Sequence, residues 1–233
     1  EVENYPGFVD PIPGWELVSA MENQARRLNA EIVSAEVASV SKNSTDNSFT
    51  VTMADGAIQQ SKTVIIASGA SYRNLNVPGE KEYLGRGVSY CATCDGAFYK
   101  DRVTAVVGGG DTALEEALFL TKFSKKVYLV HRRDQFRGQK ILQDRVLGSD
   151  KIEPVYNSVV TSINGETGVQ SFTAKNVKTE EEKTITVDGV FIFIGFIPNT
   201  EFMDTSLLNE QGEVLVNMEM ATSIPGMYAI GDV

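Results

Sequence analysis

Two short stretches carry residue types that can do chemistry. In the first, Cys91-Ala-Thr-Cys94 is followed at once by Asp95. A two-residue spacing brings the sulfurs within bonding reach, and such pairs often have a lowered thiol pKa, so Cys91 and Cys94 can cycle between dithiol and disulfide. Asp95 is a candidate proton donor or acceptor beside Cys94; its bland use is as a helix N-cap. The cysteines have two competing uses, half of a zinc site or two inert buried thiols. Structural zinc takes four ligands, usually Cys or His, and the chain has only two Cys and one His, so no metal centre is expected.

The second stretch is Gly108-Gly109-Gly110-Asp111-Thr112-Ala113, which fits G-x-G-x-x-A. Glycines there let the backbone approach a pyrophosphate, whose charge the following helix N-terminus stabilises. Alone the pattern is weak; its worth depends on a strand before it and a helix after it. About 20 residues further on, NAD sites carry an acid for the ribose hydroxyls. Here that place holds His131-Arg132-Arg133, with Arg137 shortly after. The bland use of these arginines is a solvated basic face. The sharper use is a guanidinium clamp on the 2′-phosphate of NADPH, whose oxygens match the Arg fork.

The surrounding elements must hold these residues in place. Val103–Val107 reads as a strand and Lys126–Val130 as a second. Between them lies a helix with Asp111 or Thr112 as its cap and Ala113, Ala117, Leu118 and Leu120 on its apolar face. Upstream, Trp15–Leu28 has apolar residues at helical spacing, residues 31–40 alternate toward a strand, and Asp55-Gly56 joins two strands as a hairpin. Thr63–Ala67 reads as a buried strand and residues 71–87 as a linker. Downstream, residues 138–150 look helical and residues 153–183 mix short strands with turns. Val187–Ile194 is an apolar strand buried on both faces. Residues 212–216 and 227–230 are further strands.

At 42% hydrophobic and 22% charged the composition is that of an ordinary globular chain with ample core-forming residues. A formal net charge of −10 argues against a nucleic-acid partner. No apolar run approaches the ~20 residues of a membrane helix. Two cysteines do not make a secreted disulfide scaffold, which favours a reducing compartment and a catalytic pair.

Cys-Ala-Thr-Cys-Asp-Gly, Gly-Gly-Gly-Asp-Thr-Ala-Leu-Glu-Glu-Ala and His-Arg-Arg-Asp-Gln-Phe-Arg follow one another in an order and spacing that resemble the bacterial-type, low-molecular-weight thioredoxin reductases. The likeness extends to Glu1-Val-Glu-Asn-Tyr-Pro-Gly-Phe, to residues 66–70, to Gly195-Phe-Ile-Pro-Asn-Thr200 and to residues 222–232, so it covers the whole chain. It implies an α/β fold of two Rossmann-like dinucleotide-binding domains, one inserted in the other. Residues 1–72 and 196–233 would form an incomplete FAD-binding domain, and residues 73–195 an NADPH-binding domain carrying the cysteine pair. The family's Gly-rich FAD turn would lie upstream of Glu1 and its C-terminal stretch beyond Val233, so a fragment lacking both ends is expected.

By the same resemblance, NADPH sits on Gly108, Gly110, Asp111, Thr112 and Ala113, with His131, Arg132, Arg133 and Arg137 at its 2′-phosphate end. Asn4, Ser68, Gly69, Gly231 and Asp232 lie near FAD. Cys94 faces the flavin, Cys91 attacks the disulfide of thioredoxin, and Asp95 is the general acid/base. The two domains swivel about residues 69–76 and 195–199. A cytoplasmic enzyme, homodimeric at full length, is implied. Two alternatives stay open at this point: a related flavoprotein reductase of a peroxiredoxin or another thioredoxin-like partner, and a non-catalytic nucleotide-binding module.

Overall fold

A computed structural model describes residue 2 and residues 5–233. The chain divides into two units, one made of residues up to Gly69 together with Pro198–Val233, the other of Ala70–Ile197. In the first segment, helix α1 (Gly14–Arg27) comes where helical spacing predicts it, but Leu17 is its one buried residue. The expected apolar face is otherwise open, with Val18 62% exposed. Strands β1 (Val37–Lys42), β2 (Phe49–Met53) and β3 (Ile58–Ser61) form an antiparallel meander, turned at Asp55-Gly56 as the dipeptide predicts.

The strand expected over residues 31–40 begins only at Val37, because its partner β2 ends at Met53 and offers residues 31–36 no ladder. Strand β4 (Val64–Ile66) is short, and only Ile66 in it is buried, so the expectation of a buried strand over Thr63–Ala67 holds for that residue alone.

The second unit opens on β5 (Ala70–Tyr72). Residues 71–87, expected as a linker, are an ordered strap. Glu80, only 2% exposed, accepts hydrogen bonds from the N–H groups of Leu75 (2.7 Å) and Asn76 (2.6 Å) and from the Tyr90 hydroxyl (2.8 Å). A buried carboxylate needs such donors, and no spacing rule reveals them in advance. Next come β6 (Val88–Ser89), the one-turn helix α2 (Ala92–Asp95), β7 (Val103–Gly108), α3 (Asp111–Leu120), β8 (Lys126–Val130) and α4 (Lys140–Leu147). They are followed by β9 (Ile152–Val155), β10 (Ser158–Gly165), β11 (Val169–Asn176), β12 (Glu182–Thr186), β13 (Gly189–Phe193) and β14 (Phe196–Pro198), which leads out.

Five of these strands make one parallel sheet in the order β6-β13-β7-β8-β9. Strand alternation sorts its side chains. Ala105, Val107, Val190 and Ile192 join Val160, Ile163, Phe172 and Ile185 of the antiparallel β10-β11-β12 meander in one core. Val106, Val127, Leu129 and Phe191 join Leu114, Ala117 and Leu120 of α3 and Val146 of α4 in the other. The period of two is what divides them. Every residue of β13 from Gly189 to Ile192 is buried, as its continuous apolar run predicts.

The last segment returns to the first unit. Strand β15 (Met227–Ala229) lies parallel to β4 and in register with it, Ala229 opposite Ile66. Phe49, Ile66, Met203, Leu207, Met227 and Ala229 close a third core. The strand expected over residues 212–216 does not form. Asn209 instead accepts hydrogen bonds from the N–H groups of Gln211 and Glu213 (both 2.9 Å), which turns the chain, and only an isolated bridge joins Leu208 to Val214. Among the described residues no helix is long and apolar enough to cross a membrane.

Candidate active site

Cys91 and Cys94 are joined as a disulfide. The N-cap of α2 is Cys91 itself, and Asp95 takes the N-cap position of the short helix that follows, Gly96–Tyr99, with no side-chain hydrogen bond. The Cys94 N–H donates to Cys91 Sγ (3.2 Å), and Thr93 Oγ1 lies 3.3 Å from the same sulfur. Ser89 braces the approach, its Oγ accepting from the Cys91 N–H (3.0 Å). Thus the sulfur of Cys91 has donors around it that would stabilise a thiolate once the bond opens. Tyr90, just before the pair, has its phenol pushed well above the usual range, by burial first and by the Glu80 carboxylate second.

A cavity of about 470 Å³ opens at the C-terminal ends of β7, β8 and β13, where parallel sheets hold ligands. Gly108, Gly110, Thr112, Ala113, His131, Arg132 and Arg137 line it. The glycines fit the demands of a nucleotide cradle. A Cβ on Gly108, whose φ is +156°, would collide with the Phe193 carbonyl and the Ala113 methyl, while a Cβ on Gly110 would meet nothing within 4 Å. The helix that follows is capped by Gly110 without any side chain, which corrects the expected cap by Asp111 or Thr112. Its first-turn N–H groups are therefore not covered by a capping oxygen, the arrangement that suits an anion.

The Asp111 carboxylate turns elsewhere, accepting from the Gln139 N–H (2.6 Å), and is not among the lining residues. Neither is Arg133, whose backbone carbonyl accepts from the Asn157 N–H (3.0 Å). His131 is 5% exposed, pressed against Gly109 and the Phe136 ring, and its Nε2 has no hydrogen-bond partner. Burial, then the positive charge of Arg137, lowers its pKa.

In the other unit, Ser68 and Gly69 follow β4, and Gly231 and Asp232 follow β15. Because those strands are parallel and in register, both pairs emerge at the same C-terminal edge. Ser68 Oγ donates to the Asn199 carbonyl (2.7 Å) and lines a small apolar cavity with Ile66 and Ala67. Asn4 lies outside the described residues.

The cavity also has an aromatic wall that no sequence motif marks. Tyr72 and Phe196 line it, Tyr72 stacked on Tyr90 (5.1 Å) and tilted against Phe196 (5.2 Å). These residues are far apart along the chain, with no motif linking them.

Comparison with known proteins agrees with this geometry. The family described as pyridine nucleotide-disulphide oxidoreductase matches residues 1–233. The bifunctional thioredoxin reductase/thioredoxin of Mycobacterium leprae (strain TN) is 47% identical over 234 residues, spanning 100% of this chain and 51% of that protein. The thioredoxin reductase of Treponema pallidum (strain Nichols) is 41% identical over 232 residues, spanning 100% of this chain and 75% of that protein. The chain thus spans about half the length of the first relative and three quarters of the second. The crystal structure of thioredoxin reductase from Streptococcus pyogenes MGAS5005 superposes with a TM-score of 0.74 at 46% identity, covering 99% of this chain and 75% of that one. With a cysteine pair in disulfide form, a glycine cradle at the switch point of a parallel sheet and a family match over residues 1–233, the chain belongs to the pyridine nucleotide-disulphide oxidoreductases.

Proposed function

We propose that the protein passes electrons from NADPH, by way of FAD, to the Cys91–Cys94 disulfide and from there to the disulfide of thioredoxin. The observation that carries this reading is a disulfide in the same folding unit as a glycine-cradled cavity lined by three arginines, Arg73, Arg132 and Arg137. We assign NADPH to the unit of residues 70–197 and FAD to the unit formed by the two outer segments. Gly108–Ala113 would hold the pyrophosphate, and Arg132 and Arg137 the 2′-phosphate, with Arg133 adding charge from outside the cavity. Ser68, Gly69, Gly231 and Asp232, gathered at one strand edge, fit the flavin nucleotide, with Asp232 accepting hydrogen bonds from its hydroxyls. FAD, when bound, supplies the two-electron relay between nicotinamide and sulfur.

The remaining chemistry belongs to the chain's own residues. Once the Cys91–Cys94 bond is reduced, the Cys91 thiolate attacks one sulfur of the partner's disulfide, and the other leaves as a thiolate and is protonated. Cys94 then attacks Cys91, which re-forms the intramolecular disulfide and frees the second partner thiol. Two thiols and one disulfide are consumed and the same are made. The Cys94 N–H and the Thr93 hydroxyl favour Cys91 as the attacking thiolate, and Asp95 is positioned in sequence to hold the proton that Cys94 must lose. A cytoplasmic location and a full-length homodimer belong to the same proposal.

The test is to replace Cys91 or Cys94 with Ser in the full-length protein. Thioredoxin reduction should disappear, whereas NADPH should still bleach the flavin. Thioredoxin reduction that survives both substitutions would overturn the reading.

A further inference from the structure

Asp111 poses a problem for a nucleotide site. It puts a carboxylate in the first turn of the helix that is to receive a diphosphate, where like charges repel. Its side chain is also not needed as a cap, since Gly110 holds that position. What it does is reach across to the chain after the arginine loop. Asp111 Oδ1 accepts from the Gln139 N–H at 2.6 Å, and Gln139 Nε2 lies 3.4 Å from Oδ2. Gln139 is the N-cap residue of α4, so the carboxylate sits at a second helix N-terminus, where its charge is stabilised.

The same junction is held once more from the glycine turn. The N–H groups of Arg137 and Gly138 both donate to the Gly109 carbonyl, at 2.7 and 3.1 Å. Space is tight here, for a Cβ on Gly138 would come within 2.9 Å of Asp111 Oδ1. Three successive N–H groups, of residues 137, 138 and 139, are therefore tied to the 109–111 turn. At its other end the arginine loop is fixed independently: the His131 N–H donates to Val155 and the Asn157 N–H to Arg133. The 109–111 ties join Arg137 to the cradle, while Gln143 Nε2, donating to the Phe136 and Gly138 carbonyls (3.3 and 2.7 Å), holds the same junction to α4.

We propose that Asp111 is a positioning residue for coenzyme selection. By tying the start of α3 to Gln139 it holds Arg137 at the cavity shared with the glycine cradle, and so couples recognition of the diphosphate to recognition of the 2′-phosphate. This rests on the NADPH reading above and adds to it a residue that touches neither phosphate.

The experiment uses redox-inert probes, 2′-phospho-ADP-ribose and ADP-ribose, titrated calorimetrically into the full-length protein with its flavin bound. Asp111→Ala should lower the affinity for 2′-phospho-ADP-ribose about tenfold, the scale of one charge-assisted hydrogen bond, and leave ADP-ribose binding unchanged or slightly tighter. Asp111→Asn keeps the acceptor oxygen and should keep the preference. Gln139→Pro removes the donor from the other side; the φ of −55° at that residue already suits proline, so the variant should fold and should copy the loss. The double variant Asp111→Ala/Gln139→Pro should be no worse than either alone, because both delete one interaction.

Equal losses for both probes, or an unaltered preference in Asp111→Ala and Gln139→Pro, would overturn the inference. So would identical behaviour of Asp111→Ala and Asp111→Asn, since charge alone would then explain it. A wild-type protein with no preference for the 2′-phosphate would instead overturn the NADPH reading itself, which keeps the two failures apart.

Discussion

His131 is the chain's sole histidine, and in the fold it is buried, tilted against the Phe136 ring and left with an unpartnered Nε2. Its pKa is lowered by burial first and by Arg137 second. The folded state therefore takes up its proton less readily than the unfolded chain, whose imidazole titrates near pH 6.5. The stability this contributes is present above that pH and is lost as pH falls through the lowered folded value. Thermal melts at descending pH should show the unit of residues 70–197 weakening below about pH 6.5, and His131→Phe should flatten that part of the profile. A second residue-scale expectation separates the arginines. Arg132→Ala or Arg137→Ala should raise KM for NADPH at least about tenfold and leave KM for NADH nearly unchanged, with a smaller effect from Arg133→Ala, because Arg133 does not line the cavity. Steady-state kinetics with both coenzymes checks it. The presence of an arginine cluster was legible in the sequence. Which of its members turn toward the cavity was not, because loop backbone bonds such as Asn157 to Arg133 decide it.

At the scale of elements, periodicity worked where burial on the sheet was complete and failed where a strand's partner ran out. Strand β13 was legible as an apolar run because it lies between β6 and β7 with both faces covered. Phe191 on it is fully buried and meets the Tyr99 ring edge-on at 5.1 Å. Phe191→Ala should cost about 3–5 kcal/mol, the usual penalty for deleting a buried aromatic ring. Urea unfolding of the unit that contains it would measure the loss. By contrast residues 31–36 alternate like a strand and are none, since the ladder ends with Met53. Residues 212–216 are diverted by the Asn209 side chain. Asx chemistry of that kind competes with strand pairing locally and leaves little trace in a hydrophobic pattern. The strap over residues 71–87 has the composition of a linker and is ordered for a related reason. Its order comes from buried Glu80 and from Tyr83, whose hydroxyl donates to the Gly165 carbonyl (2.7 Å), and Glu80 beside Lys81 and Glu82 looks like any loop charge.

At the scale of the molecule, the unit of residues 70–197 is one uninterrupted piece of chain, and two hydrophobic cores lie wholly within it. Expressed alone, it should unfold cooperatively and bind 2′-phospho-ADP-ribose; noncooperative melting of that piece would contradict the expectation. The outer unit has a different requirement, because β4 and β15 come from separate segments and must find each other. Residue type and short spacing were enough to determine the chemistry available here: a thiol pair two residues apart, a glycine turn before a helix and arginines after the next strand. Each depends on neighbours within a few residues, and local backbone geometry follows from them. Tertiary structure alone decided which groups share a cavity, as Tyr72 and Phe196 do with the glycine turn, and that Asp111 reaches Gln139 instead of capping its own helix. Those contacts join positions distant in the chain, and their energy comes from packing that exists only once the parallel sheet has closed.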